Sequence, residues 1–221
     1  MVILFLDEFP LFRGDVIEAL RQPLESGEVT ITRGEDSATY PARGLVVMAC
    51  NPCPCGNFHA LPKRNKCECL EASRRHYRAK ITGPITDRVD ITRHVDAAGP
   101  HDRNDRFAPR EPSAAVRSRV AVARERQHDR YSGRSWRLNS QAPGPALQRD
   151  WPLAPELQQR VDDAIVHGRL TRRGATRVHR LAWTIADLDQ VDAPGFAQLD
   201  TALRLRLGQP LLDASLRRRA V

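Results

Sequence analysis

Two runs of apolar residues stand out along an otherwise polar chain. Met1 to Leu6 and Leu45 to Cys50 are each apolar without alternation. Each breaks abruptly into polar groups, Asp7-Glu8 after the first and Asn51 after the second. Strands buried on both faces of a parallel sheet carry such continuous runs. The two runs therefore predict strands of an α/β core with polar groups gathered at the carboxyl ends, where open α/β sheets bind ligands. Between them, Val16, Ile17, Leu20 and Leu24 recur at helical spacing behind Asp15, which predicts an N-cap with Glu18 as its partner in a capping box. Glu28 to Arg33 and Ala38 to Tyr40 alternate around Gly34-Glu-Asp-Ser and predict a β-hairpin over 28–41.

The pattern changes in the second half. Val95 to Pro112 is rich in Gly, Pro, Asp, Arg and His without periodicity and reads as a linker. Ser113 is placed to cap a helix to about Arg130, with Val116, Val120 and Ala123 inward and arginines outward. Tyr131 to Pro152 reads as irregular. Further helices are predicted over 155–167, closed by Gly168 in a left-handed position, over 172–188 with Val178, Leu181, Ile185 and Leu188 inward, and over 197–207. The predicted organisation is an α/β core at 1–95, a linker at 96–112, an all-helical unit at 113–208 and a basic tail at 209–221.

The chain has 221 residues and a formal net charge of +8, with nearly all the cations arginine. That balance favours a polyanionic partner. No segment approaches the length of a membrane span, and the opening run is too short and lacks the basic flank of a secretion signal. A cytoplasmic protein with no membrane partner is expected. Lys63, Lys66 and Lys80 are the lysines, and none falls in a Gly-x-x-x-x-Gly-Lys-Ser/Thr loop. This polypeptide alone is not expected to bind ATP in the P-loop manner.

Three constellations carry chemistry. An apolar strand ending in Asp7-Glu8 has the pattern of a Walker B strand, in which Asp7 would hold Mg²⁺ and Glu8 would polarise the attacking water. Asn51 is placed to orient that water or touch a γ-phosphate, as a sensor 1 residue does. Arg88, in Gly83-Pro-Ile-Thr-Asp-Arg-Val-Asp90, can serve as an arginine finger toward a neighbouring subunit or form a salt bridge with Asp87 or Asp90. Cys53-x-Cys55 and Cys67-x-Cys69 bracket a polar loop, and four thiolates in two pairs can close a tetrahedral Zn²⁺ site within an insertion at 52–70. Free or redox-active thiols are the other reading. Cys50 reads as a small buried hydrophobe and His59 as a surface residue that can substitute as a ligand. Four cysteines leave no open coordination position, so such a site is structural rather than catalytic. Lys63, Arg64 and Lys66 on the enclosed loop can meet phosphates.

Phe5-Leu-Asp-Glu-Phe-Pro, Ala19-Leu-Arg-Gln-Pro-Leu-Glu, Ala49-Cys-Asn-Pro-Cys-Pro-Cys-Gly, Gly83-Pro-Ile-Thr-Asp-Arg-Val-Asp and Thr184-Ile-Ala-Asp-Leu occur in that order. Together they resemble the C-terminal half of the Mg-chelatase-like AAA+ ATPases of the ComM/YifB type. The resemblance implies a partial AAA+ P-loop-type core from the Walker B strand onward, with a small four-cysteine zinc-binding insertion, followed by an all-α lid. It implies ATP hydrolysis with Mg²⁺ coupled to DNA strand movement or branch migration, in a homo-oligomeric ring of hexamer type or with a partner supplying the P-loop half. It assigns Asp7 and Glu8 to Walker B, Asn51 to sensor 1 and Arg88 to the arginine finger. The hairpin becomes the pre-sensor-1 insertion, its tip carrying Arg33 beside Glu35 and Asp36, a mixed-charge turn that either touches DNA backbone through Arg33 or is simply solvated. Sensor 2 falls to one of Arg173, Arg177 and Arg180, which spacing alone does not separate. Trp183 reads as a core residue. Two other classes compete: a catalytically inactive ring component or adaptor, and a zinc-dependent nucleic-acid-binding module with structural carboxylates.

Overall fold

The computed structural model describes residues 2–82, 85–95 and 111–211. Gly83 and Pro84, the predicted linker from 96 to 110 and the tail from 212 onward lie outside the described residues. The chain divides into two compact units, one ending at Val89 and the other beginning at Asp90.

In the first unit β1 (Val2–Leu6) pairs in parallel with β4 (Gly44–Met48), Leu6 opposite Met48. The connection between them comprises α1 (Gly14–Ala19), α2 (Arg21–Ser26) and the antiparallel hairpin of β2 (Glu28–Arg33) and β3 (Asp36–Pro41). One helix was expected here, and two short ones form. Pro23 can donate no hydrogen bond back to Ala19 and its ring crowds that carbonyl. The predicted capping box is absent. Arg13 takes the cap position without a side-chain bond, Asp15 pairs with Arg13 at 2.8 Å, and Glu18 pairs with Arg21. Ile17 is buried with Phe9 and Ile85, and Leu6, Leu20, Leu24 and Met48 close over this small core, whereas Val16 is exposed. The hairpin turns on Gly34 at φ 64°, the left-handed residue that a two-residue type II′ turn needs first.

The continuous apolar runs predicted burial on both sheet faces, and this is corrected. Val2 is 70% and Phe5 60% exposed, and Leu45 and Val47 are exposed too. Two strands with one shared edge leave both faces open unless other elements cover them. A helix missed by the sequence pattern, α3 (Glu71–Ile81), follows the cysteine-rich loop.

The second unit holds α4 (Ser113–Arg130), α5 (Gly144–Asp150), α6 (Pro155–Val166), α7 (Arg172–Leu188) and α8 (Phe196–Leu207). Four of these lie where their periodicity predicts, and Gly168 ends α6 at φ 68°. The short α5, inside the stretch read as irregular, was not predicted. Thr171 caps α7, its hydroxyl accepting the Gly174 N–H at 3.0 Å. Leu157, Val161, Val178, Ala182, Ile185, Leu199 and Leu205 form the core of α6, α7 and α8. Thr92 N–H donates to the Leu205 carbonyl at 2.8 Å, which ties the start of the unit to α8.

On α4 the expected inward face is only partly right. Val116 and Val120 are exposed, and Ala123 and Gln127 are buried. Arg130, on the same face near the C-terminal end, turns inward instead of outward. Its guanidinium lies 4.4 Å from the centre of the Trp183 ring and donates to Asp187, fully buried on α7, and to Asn139 Oδ1 at 3.1 Å. Asn139 in turn donates to Asp187 at 2.9 Å and to Thr184 Oγ1 at 3.0 Å, and accepts from the Tyr131 hydroxyl at 2.8 Å. Every arm of this buried network is matched, which is the condition under which burying charge is tolerated.

Asp187→Ala strands the Arg130 cation and is expected to destabilise the helical unit by about 3–5 kcal/mol, measured by denaturant unfolding. A milder effect is expected at His179, whose Nε2 faces the Trp151 carbonyl at 2.9 Å and therefore carries the proton. Burial lowers its pKa against the pull of that hydrogen bond. The unfolded chain then binds the proton more readily near pH 6.5, so this contribution to stability is full above that pH and fades as pH falls. His179→Gln should flatten the decline in melting temperature between pH 7 and 5.

Candidate active site and metal centre

The ladder of β1 and β4 continues one step past the strands: Ala49 N–H donates to the Leu6 carbonyl at 2.9 Å and Phe9 N–H to the Ala49 carbonyl at 3.1 Å. The chain therefore leaves both strands at one end, with Asp7-Glu8 and Asn51 issuing side by side. Asp7 and Glu8 are exposed, and Asp7 Oδ1 accepts the Glu8 N–H at 2.9 Å. Glu8 adopts φ 49° and ψ 34°, in the left-handed region. For a residue with a Cβ this costs roughly 1–2 kcal/mol, and such conformations cluster where a side chain must be aimed. Two exposed carboxylates suit a hard cation such as Mg²⁺.

Asn51 lies in the loop after β4. Its carbonyl accepts from the buried Tyr77 hydroxyl of α3 at 3.2 Å, while its side-chain amide stands beside Gly56. The Tyr77 phenol is raised by burial first, with the charges of Cys50, Cys53 and Glu8 adding to it. Lys80 Nζ donates to the Phe12 carbonyl at 3.0 Å and pins the far end of α3. Cys50, expected to be buried inside the strand, is exposed, because β4 ends at Met48 and the chain has already turned outward.

The loop after Asn51 gathers all four paired cysteines. Their sulfurs lie within 4.8 Å of one another, with Cys53 to Cys55 at 3.3 Å, Cys53 to Cys67 at 3.6 Å and Cys55 to Cys67 at 3.7 Å. Sulfurs placed about 2.3 Å from a tetrahedral zinc would be about 3.8 Å apart, so the cluster fits a thiophilic dication with little movement. None of the thiols is bridged. Cys55 is held down to about 6, first by the Asn57 backbone N–H and then by Cys53. Cys69 is raised, first by its hydrogen bond with Cys55. Thiols this close resist ionising together unless a cation sits among them. His59 is outside the cluster, its Nδ1 accepting the Leu61 N–H at 2.9 Å. Asn65 Oδ1 ties the loop by accepting from His59 N–H at 3.3 Å and Cys67 N–H at 3.1 Å.

Arg88 lies in a single 3-10 turn, Thr86–Arg88, and its guanidinium pairs with Glu25 of α2. Asp90, one of its candidate partners, pairs instead with Arg177 of α7. Among the three lid arginines, Arg180 donates from Nε and Nη2 to the Ala142 carbonyl at 3.1 and 2.8 Å, and Arg173 is exposed on the first turn of α7. Burial first, then the charge of Arg177, lowers the Arg180 pKa. Arg33 is exposed at the hairpin tip, and Lys63, Arg64 and Lys66 are exposed on the cysteine loop. No helix among the described residues is long and apolar enough to cross a membrane.

Two family models match the chain. One, described as magnesium chelatase, subunit ChlI, covers residues 2–102, and the other, magnesium chelatase, subunit ChlI C-terminal, covers residues 110–206. An uncharacterized protein of Mycobacterium tuberculosis is 37% identical over 206 residues, which is 92% of this chain and 39% of that protein. The uncharacterized protein YifB of Escherichia coli is 34% identical over 210 residues, 95% of this chain and 40% of YifB. Competence protein ComM of Haemophilus influenzae is 32% identical over 199 residues, 89% of this chain and 38% of ComM. The chain belongs to the magnesium-chelatase-like family, and within it to the ComM/YifB-like group. It spans less than half the length of these relatives.

Glu25→Gln removes the charged partner of Arg88 while leaving the shape of α2. A partly exposed pair of this kind is worth about 1 kcal/mol or less, so the unfolding free energy of the chain should change by no more than that in denaturant titrations.

Proposed function

We propose that the chain carries the Mg²⁺- and water-handling part of an AAA+ ATPase that couples ATP hydrolysis to DNA strand movement within a ring, of hexameric type. The observation that supports this most directly is the common exit of Asp7, Glu8 and Asn51 from two paired parallel strands, with Glu8 held left-handed. In this reading Asp7 holds Mg²⁺, whose charge offsets that of the phosphates. Glu8 accepts a proton from the attacking water, and Asn51 orients that water. Arg88 is released from Glu25 to reach the nucleotide of an adjoining subunit, and one of Arg173, Arg177 and Arg180 acts as the lid sensor. The phosphate-cradling lysine is supplied by another segment or polypeptide, since no lysine here stands in such a loop.

The cysteine cluster is proposed to hold structural Zn²⁺, bound by Cys53, Cys55, Cys67 and Cys69. It begins two residues after Asn51, so a clasped loop would also steady the sensor. Arg33, Lys63, Arg64 and Lys66 are proposed to face DNA. The four-sulfur cluster beside a cationic loop also favours a second reading, a zinc-stabilised nucleic-acid-binding module or silent ring component in which the carboxylates are structural.

Phosphate release separates the two. The chain alone should show no ATP turnover. Mixing it with the P-loop portion of a relative should restore turnover, and Glu8→Gln should then lower it by at least ~100-fold. Turnover by the unaccompanied chain would overturn the assignment of the phosphate-cradling group. DNA binding without turnover in any mixture, unaffected by Glu8→Gln, would favour the binding module. Metal analysis should find one zinc per chain, lost in Cys67→Ser with a lowered melting temperature.

A further inference from the structure

The loop that carries the cysteines does more than close on itself. The Asn57 carbonyl accepts the Lys66 N–H at 3.2 Å, and Asn65 holds the His59 and Cys67 amides, so Phe58 is fixed between two tied neighbours. Its ring receives two guanidiniums from α3, that of Arg78 at 4.4 Å and that of Arg74 at 5.2 Å from the ring centre. A single aromatic face attracts a cation, but two cations on one ring repel each other, and this cost needs an opposing charge. Among the described residues neither arginine pairs with a carboxylate, and the Arg74 Nε is buried with no hydrogen-bond partner. Between Phe58 and Lys80 the chain carries seven Lys and Arg against two Glu. A bound dication with four thiolates adds a net charge of −2 and still leaves an excess of positive charge.

From this uncompensated pair we infer a phosphate-binding platform formed by Phe58, Arg74 and Arg78, which receives the phosphodiester backbone of a nucleic acid. The tied loop brings Lys66 to the same neighbourhood, and Arg75 is exposed on the same helix. Arginines preset on a ring lose little freedom when they bind, and a planar fork suits phosphate oxygens. The ligand is a backbone rather than a base edge, because the ring already has its arginines stacked on it. This inference rests on the reading of the chain as a DNA-acting protein and adds a place and a chemistry to it.

The test is fluorescence anisotropy with the full zinc-loaded chain and two probes, a labelled 30-nucleotide oligo(dT) and a labelled 30-bp duplex, across a salt series. Arg74→Ala/Arg78→Ala should weaken binding on the order of 10-fold at low salt. It should also reduce the slope of log K against log salt by about 1.4 on the single strand, the release expected for two phosphate contacts. Phe58→Leu keeps both charges and should lose a smaller factor with the slope retained. Zinc content and melting temperature are measured for each variant. Should the double variant unfold, Arg78→Gln provides the same readout for one contact, a slope reduced by about 0.7. Affinity and slope equal to wild type in folded variants would overturn the platform while leaving DNA binding in place. Failure of the wild-type chain to bind either probe would overturn both. Tripolyphosphate binding by calorimetry that is lost in the double variant, with neither oligonucleotide bound, would assign the arginines to a free phosphate instead.

Discussion

In-register pairing of β1 with β4 puts Leu6 opposite Met48, and two further backbone hydrogen bonds carry that pairing as far as Phe9 and Ala49. From there the two chains diverge, and nearly everything of interest in the first unit hangs on where they do so. Asp7 and Glu8 face outward because the strand has ended and the small core begins only at Phe9. Asn51 is held in the same neighbourhood by the Tyr77 hydroxyl. A slip of one residue would turn every side chain of β1 to the other face and move the carboxylates away from the amide. Glu8, held in a conformation that side chains rarely adopt, is where the strain of that junction is stored.

The first unit has little apolar mass with which to hold such geometry. Its buried core is Phe9, Ile17 and Ile85 with a partial shell, and its two-stranded sheet is exposed. Small cores of this kind are commonly supplemented by a metal or by other chains. The four-sulfur cluster lies in the loop joining Asn51 to α3, and α3 is itself tied back through Tyr77 and Lys80, so a metal held there would brace that loop.

The helical unit is built on the opposite principle. Its apolar core is extensive, and a charged residue is placed deep within it. Asp187 is reached by Arg130 from α4 and by Asn139 from the turn before α5, so three separate stretches are fixed by one carboxylate. This gives the Thr184-Ile-Ala-Asp187 segment a structural meaning: Thr184 and Asp187, one turn apart, both receive the Asn139 amide.

Features set by near neighbours could be read from the residues. The apolar runs, the hairpin around Gly34, the helices ending at Gly168 and at Leu188, and the grouping of two Cys-x-Cys pairs all follow from backbone preferences or ligand chemistry acting over a few positions. Whatever joined distant positions could not. Helix α3 is mostly polar, and its anchors on Asn51, Phe12 and Phe58 explain it. The partner of Arg88 lies 63 residues away at Glu25, and that of Arg130 lies 57 residues away at Asp187. A guanidinium has the same local signature whether it ends in solvent, on a carboxylate or on a ring. Which of these it meets is chosen by the packing that brings remote segments together.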